Sequence, residues 1–182
     1  MPLTNPGVKR PGVFFPWSAG DPARELSAHP MPLAPLEPFV RHPLIFLTVC
    51  TANRAPILAN DSVHAILTTL WRASRERHGW WVGRYAIMPD LVHLFAMVGD
   101  EETAMPLPDW VATWKSISAL QLVAGNNATA PIWQRDYCDR LLRSRESYGA
   151  KWDYVSHHPV RAGLTSRAED WPYQGVIQDL CC

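Results

Sequence analysis

Two runs of β-forming residues, WWVGRYAIM and LVHLFAMV, are separated only by the dipeptide Pro89-Asp90. Proline and aspartate favour a turn, so the two runs predict an antiparallel hairpin. Because alternate residues of a strand point to the same side of its sheet, Leu91 and His93 share one face. A histidine in such an apolar strand is more often a hydrogen-bonded core residue than a ligand. The hairpin therefore constrains the fold, whereas His93 is a candidate site residue.

The segments around the hairpin predict an alternation of strands and helices. They follow in chain order as a buried strand over 44–51, an amphipathic helix over 60–79 with Asn60 or Asp61 as N-cap, the hairpin, a helix over 108–125, a short strand or irregular stretch over 132–143 and a helix over 144–159. Strand–helix–strand–strand–helix–strand, with a terminal helix, is the order of a ferredoxin-like α+β sandwich. The sequence thus predicts an antiparallel sheet with helices on one face.

The chain of 182 residues is long enough for one domain with a substantial core. Residues 1–40 are rich in proline and lack periodicity, which predicts an N-terminal arm, and residues 41–182 form the predicted domain. No apolar run approaches the roughly 20 residues of a membrane span. The cysteines lack metal-ligand spacing, and Cys181 and Cys182 are expected to be free thiols, so the expected location is a reducing cytoplasm.

Tyr154 and His158 lie four residues apart in the third predicted helix, so they share one face, with His157 beside them. Each residue also has an ordinary explanation. A helical tyrosine usually packs with its hydroxyl hydrogen-bonded, and histidines before a proline usually lie at a solvated helix end. The residues alone therefore indicate an α+β domain in which His93, Tyr154 and His158 are candidate site residues.

Four segments of the chain, HPLIFLTVCTANRAPIL, GRYAIMPDLVHLF, IWQRDYCDRLLRSRESYGAKWDYVSHHPVRAGL and DWPY, occur in the order found in a known family. Through them the span from about His42 to Gly175 resembles the single-tyrosine HUH transposases, and most of all their branch of REP-associated tyrosine transposases. The resemblance implies the same ferredoxin-like fold. It also implies an activity that cleaves and rejoins single-stranded DNA at structured hairpin sites.

The family resemblance assigns roles to the candidate residues. It implies Tyr154 as the nucleophile, which would form a 5′-phosphotyrosine and release a 3′-hydroxyl. It implies His93 as the second histidine of a strand pair, and His158 as a third ligand, around Mn²⁺ or Mg²⁺. Leu91 stands where the family has its first histidine, and leucine cannot coordinate a cation. Because losing even a supporting partner weakens metal binding roughly 10–100-fold, we expect an intact fold and impaired strand cleavage.

The sequence leaves three functions open. His93 and His158, with a DNA phosphate, waters and a contribution from Asp90 or His157, would make a remodelled site in an active transposase-like enzyme. Alternatively, the chain is a catalytically impaired module that binds structured single-stranded DNA without cleaving it. A third alternative is a protein-interaction domain in which the proline-rich arm does the binding. The choice between a monomer and a homodimer is open as well.

Positive charge is concentrated around the Tyr154 helix. The net charge of the whole chain is zero, so DNA affinity would have to come from a local patch. Residues 133–167 hold seven basic and four acidic residues, a local net charge of +3. A salt-bridged helix surface explains this equally well, but in a DNA-binding protein a phosphate backbone would pass here. The predicted DNA-binding residues are Arg54, Lys115, Trp133 (by stacking on a base), Arg135, Arg140, Arg143, Lys151 and Arg161.

Overall fold

The computed structural model describes residues 44–99, 103–125, 128–142 and 145–180. The predicted arm over 1–40, the predicted DNA contact Arg143 and the terminal Cys181 and Cys182 lie outside these ranges. Within them, the helices α1 to α4 span Asp61–His78, Leu107–Ala124, Arg145–Ser156 and His158–Arg161. The strands β1 to β5 span Leu44–Cys50, Trp80–Ile87, Leu91–Val98, Cys138–Leu142 and Gln174–Val176. None of the described helices is long and apolar enough to span a membrane.

The five strands form one antiparallel sheet in the order β4–β1–β3–β2–β5. Strands β2 and β3 are the predicted hairpin, connected through Pro89 and Asp90. Strand β1 lies between β3 and β4, as expected when strand–helix–strand units interleave in a ferredoxin-like sandwich. The predicted α+β fold class is confirmed. Strand β5 adds an edge beside β2 and was not among the predicted elements.

Helix α1 begins and ends where its capping residues predict. The side chain of Asn60 accepts a hydrogen bond from the backbone N–H of Val63 at 3.0 Å, so Asn60 rather than Asp61 is the N-cap. Gly79 adopts a left-handed conformation with φ of 72°, and its N–H donates to the carbonyl of Arg75. Both ends of the helix are therefore capped, and its apolar residues are buried against the sheet.

Helices cover both faces of the sheet. Helices α1 and α2 pack on one face, where Trp71 and Trp110 join a cluster with strand residues such as Leu94. Helix α3 packs on the other face, where Val155 joins a smaller cluster with Phe95. The predicted arrangement, with helices on one face, therefore describes α1 and α2, and α3 is added on the opposite side. Because alternate strand residues share a face, α3 covers the side to which the histidine of β3 points.

Candidate functional site

His93 lies in the middle of β3 and has a polar partner at each ring nitrogen. Its Nδ1 lies 2.9 Å from the hydroxyl oxygen of Thr48, its cross-strand neighbour on β1. Its Nε2 lies 3.2 Å from Nδ1 of His158, the first residue of α4. The ring of Phe46 stacks on the imidazole with centroids 5.4 Å apart. The structure therefore brings together the two histidines that were predicted as metal ligands, and it places them in direct contact with each other.

Tyr154 shares its neighbours with the histidine pair. The Nζ atom of Lys151 lies 5.1 Å from the ring centroid of Phe46, which stacks on His93, and 5.5 Å from that of Tyr154. The guanidinium carbon of Arg161 lies 4.1 Å from the Tyr154 ring centroid. The tyrosine is 40% exposed, so a ligand can reach it. Tyr154 and His93, which are far apart in sequence, thus lie on the same side of the sheet, and Lys151 and Arg161 are close to both.

Arg54 adds a third cation at the end of β1. Its Nε lies 2.9 Å from Oδ2 of Asp90, and its Nη1 donates to Sγ of Cys50 at 2.8 Å. Asn53 and Arg54 both have positive φ values, of 53° and 56°. Such a left-handed conformation costs a residue other than glycine roughly 1–2 kcal/mol. This turn directs the guanidinium toward Asp90, whose carboxylate offsets part of its charge.

Both imidazoles of the pair are neutral at pH 7. Burial is the main cause that lowers the pKa of His93, to about 3, and the neighbouring His158, Lys151 and Arg161 lower it further. Burial and Arg161 also lower the pKa of His158, against a weaker opposing effect of Asp90. Neutral imidazoles can accept hydrogen bonds or bind metals. They contribute no positive charge, however, so the charge at this site comes from lysine and arginine.

Acid is expected to destabilise the protein through His93. Its pKa is about 3 in the folded chain and 6.5 as the ordinary value, so between these values only the unfolded chain binds the proton. The free energy of unfolding should therefore be highest above the ordinary pKa and should fall as the pH drops toward the folded one. Within this window, the free energy of unfolding falls by about 1.4 kcal/mol for each pH unit. The loss between neutral solution and pH 5 is therefore about 2 kcal/mol.

Urea unfolding at neutral pH and at pH 5 measures this loss. His93→Gln keeps a polar side chain but cannot take up a proton, so its stability should depend less on pH than that of the wild type. The comparison uses the change between the two pH values, because the substitution also alters the packing against Phe46. An equal loss in both proteins would contradict the assignment to His93.

Leu91 occupies the position where the family resemblance implies the first histidine ligand. Its side chain is 3% exposed and has no donor atom. Its cross-strand neighbour on β1 is Cys50, whose sulfur accepts the hydrogen bond from Arg54. Burial raises the pKa of the Cys50 thiol, although Arg54 partly opposes this. The thiol of Cys50, opposite Leu91 on the neighbouring strand, is therefore kept protonated, and a protonated thiol binds metals poorly.

The donors around the histidine pair do not form a complete metal site. Asp90, a possible further ligand, is ion-paired with Arg54. The Nδ1 atom of the exposed His157 lies 2.9 Å from the carbonyl oxygen of Asp153. Across the described ranges, no three His, Cys, Asp or Glu side chains are grouped so that they could hold an ion. These residues do not fit the Mn²⁺ or Mg²⁺ site implied by the resemblance, and Mg²⁺, which prefers oxygen ligands, fits two imidazoles least.

Two of the predicted DNA contacts are buried. Lys115 is 9% exposed, and its ammonium donates to the carbonyls of Gln134 and Arg135 at 2.7 and 2.9 Å. Trp133 is also 9% exposed, and its Nε1 donates to the hydroxyl of Ser118 at 3.0 Å. These hydrogen bonds connect the segment before β4 to helix α2. In this conformation both side chains are turned away from solvent, and their contact with DNA stays a prediction.

Exposed arginines extend the positive charge along the sheet. Arg140 pairs with Phe46 across β4 and β1, so its side chain lies on the sheet face that carries His93. Arg135 is exposed in the segment that precedes β4. The residues on the histidine side of the sheet and around the tyrosine are called the cationic surface: Arg54, Arg140, Lys151 and Arg161.

Two residues of the site, Thr48 and Phe46, were missed by sequence reasoning. They hold His93 from β1 through a hydrogen bond and a stacked ring. Alternation along β1 places them on one face, which is a signal that the sequence does contain. Their contact with His93 depends on the register between β1 and β3, however, and periodicity within each strand does not specify that register.

Comparison with known proteins gives the following similarities. No family model matches the chain. It is 21% identical over 151 residues to a Haemophilus influenzae protein assigned by name to the REP-associated tyrosine transposases, which covers 78% of this chain and 84% of that protein. A solved REP-associated tyrosine transposase bound to a REP hairpin matches with a TM-score of 0.60 and 17% identity, over 72% of this chain and 75% of that one.

A second solved structure, assigned by name as a transposase from Deinococcus radiodurans, is 22% identical and covers 70% of this chain and 97% of that one. Its TM-score of 0.49 is too low to bear on the fold. The Haemophilus relative and the hairpin-bound structure confirm the predicted resemblance to the REP-associated tyrosine transposases, and the hairpin-bound structure also confirms the predicted fold.

Proposed function

We propose that this chain, which resembles the REP-associated tyrosine transposases in sequence and in fold, binds single-stranded DNA that folds into a hairpin. The observation that carries the proposal is the position of Lys151 and Arg161 beside the exposed Tyr154. Phosphate contacts by lysine and arginine supply most of the affinity in nucleic-acid binding. One phosphate of the bound strand would lie between these cations and the phenol.

The rest of the cationic surface would guide the strand toward the tyrosine. Arg140 lies on the histidine side of β4, and Arg54 lies at the end of β1. Because the chain has no net charge, this local concentration, rather than a general attraction, would select for DNA. The solved relative is bound to a REP hairpin, and the shared fold supports a hairpin as the ligand of this chain too. We also propose a cytoplasmic location. The proposed binding requires no particular oligomeric state and applies to a monomer as well as to a homodimer.

The donor set argues against strand cleavage by the metal-dependent route that the resemblance implies. Two imidazoles, with Leu91 in place of a third, supply too few protein ligands for a divalent ion. Metal-assisted cleavage through Tyr154 is therefore expected to be impaired, which favours a DNA-binding function. Cleavage through Tyr154 remains the second candidate, because that residue is exposed and lies beside two cations.

We expect the double variant Lys151→Ala/Arg161→Ala to bind a fluorescent DNA hairpin with single-stranded flanks roughly tenfold more weakly than the wild type. The dependence of affinity on salt should also fall, by about 0.7 in the logarithmic slope for each lost phosphate contact to a single strand. Fluorescence anisotropy over a series of salt concentrations measures both quantities. A blunt duplex with the same stem provides the comparison for hairpin preference.

Arg77→Ala is the matched control, because Arg77 is exposed in the last turn of α1, on the opposite face of the sheet. It removes one positive charge without touching the cationic surface, so its affinity should equal that of the wild type. If Arg77→Ala and the double variant weaken DNA binding equally, the overall charge of the protein, and not a defined binding site, determines the affinity. Equal binding of the hairpin and the blunt duplex would argue against hairpin recognition.

A further inference from the structure

We propose that Lys151 and Arg161 supply the positive charge for attack of Tyr154 on a DNA phosphate, so that the chain cleaves DNA strands without a divalent ion. The inference rests on the proposed DNA binding and concerns the same site. It goes beyond DNA binding because it assigns a strand-cleavage reaction to the site. It differs from the reaction that the family resemblance implies, because protein side chains and not a metal ion supply the positive charge.

The geometry supports this assignment because two cations lie close to the ring of Tyr154. The guanidinium carbon of Arg161 lies 4.1 Å from the Tyr154 ring centroid, and Nζ of Lys151 lies 5.5 Å from it. The lysine comes from α3 and the arginine from α4, so a phosphate at the phenol would meet cations from two elements. Arginine and lysine clamps stabilise the charge that develops on the oxygens of a transferring phosphoryl group, as a metal ion does elsewhere.

The histidine side of the site favours the same conclusion. The Nε2 atom of His93 lies 3.2 Å from Nδ1 of His158, and Leu91 offers no further donor. Thr48 holds the other nitrogen of His93. In a metal-dependent site the ion held by such groups would bring the positive charge. Here positive charge is carried by Lys151 and Arg161, which lie beside the ring of Tyr154 and lower the pKa of His93.

The step balances without any co-reactant. The Oη atom of Tyr154 bonds to phosphorus while the bond between phosphorus and the 3′ oxygen of the preceding nucleotide breaks. The proton that leaves the phenol is matched by the proton that the departing 3′ oxygen takes up, so the products are a 5′-phosphotyrosine and a 3′-hydroxyl. No electron transfer and no nucleotide triphosphate is required, and the 3′-hydroxyl can reverse the step.

The test is formation of a covalent adduct in EDTA. The probe is a mixture of DNA hairpins with randomised single-stranded flanks and a fluorophore at the 3′ end, because the fragment that stays on the tyrosine carries that end. Single-turnover reactions at saturating DNA are resolved by denaturing gel electrophoresis, so weaker binding does not count as slower chemistry. The proteins compared are the wild type, Tyr154→Phe, Lys151→Gln, Arg161→Gln and Arg77→Gln.

We expect a labelled wild-type adduct in EDTA that Tyr154→Phe abolishes. Lys151→Gln and Arg161→Gln should each slow its formation on the order of 100-fold, which is the usual cost of losing one group that stabilises transition-state charge. Arg77→Gln should match the wild type. An adduct that forms only with added Mn²⁺ would overturn the inference, as would no adduct under either condition. In both cases anisotropy with the same hairpins shows whether the proposed DNA binding survives, so the two proposals fail separately.

Discussion

Leu91→His is expected to raise the affinity of the protein for Mn²⁺ at least tenfold. The new imidazole would lie on the same face of β3 as His93, two residues along the strand, and would add a third nitrogen donor beside the histidine pair. Loss of a partner that only supports a ligand costs roughly 10–100-fold in metal affinity, so gain of a ligand should restore at least the lower figure. Titration calorimetry with Mn²⁺ measures the change.

Leu91→Phe is the control for this substitution. It places a ring of comparable size at the same buried position but offers no donor atom, so it should show no gain over the wild type. If the histidine and phenylalanine variants bind Mn²⁺ equally weakly, His93 and His158 are not arranged as part of a metal site. A gain in the histidine variant alone would show that the fold retains the geometry for an ion while the wild-type side chains do not.

Trp110→Ala is expected to lower the free energy of unfolding by about 3–5 kcal/mol. The indole is fully buried in α2, stacks on Trp80 at 4.8 Å between ring centroids and donates from Nε1 to the hydroxyl of Ser74 at 3.0 Å. Truncation removes a large apolar surface from the core and leaves a cavity beneath the helix. Equilibrium unfolding in urea measures the loss.

Leu120→Ala on the same helix is the matched comparison. Leu120 is 72% exposed, so its truncation should change the free energy of unfolding by no more than about 0.5 kcal/mol. Both substitutions replace an apolar residue in α2 by alanine, the best helix former, so a change in helix propensity cannot explain a loss of stability in either variant. Similar unfolding midpoints for the two variants would contradict the placement of Trp110 in the core.

The fold could be predicted from the sequence where the signals are local. The Pro89-Asp90 turn between two β-forming runs specifies the hairpin, and Asn60 and Gly79 mark the ends of α1 through their capping preferences. Strand β5 has only three residues and lacks a pattern of its own, so only its pairing with β2 defines it. The side of the sheet on which α3 packs is likewise a tertiary property that no single segment encodes.

The site shows the same division between local and tertiary information. The family resemblance predicts that Leu91 stands at a ligand position, but the contact between His93 and His158 depends on how α4 meets β3. Lys115 was predicted as a DNA contact because it is a basic residue on the second predicted helix. It is instead held by two backbone carbonyls in the interior, an arrangement that residue type cannot indicate.

The sheet separates the tryptophan-rich packing under α1 and α2 from the surface around Tyr154. Substitutions that are far apart and share no partners contribute to stability independently. Side chains on the tyrosine side can therefore be exchanged while the opposite layer continues to drive folding. Such a scaffold tolerates drift in its reactive surface, and selection can reshape that surface without first rebuilding the protein.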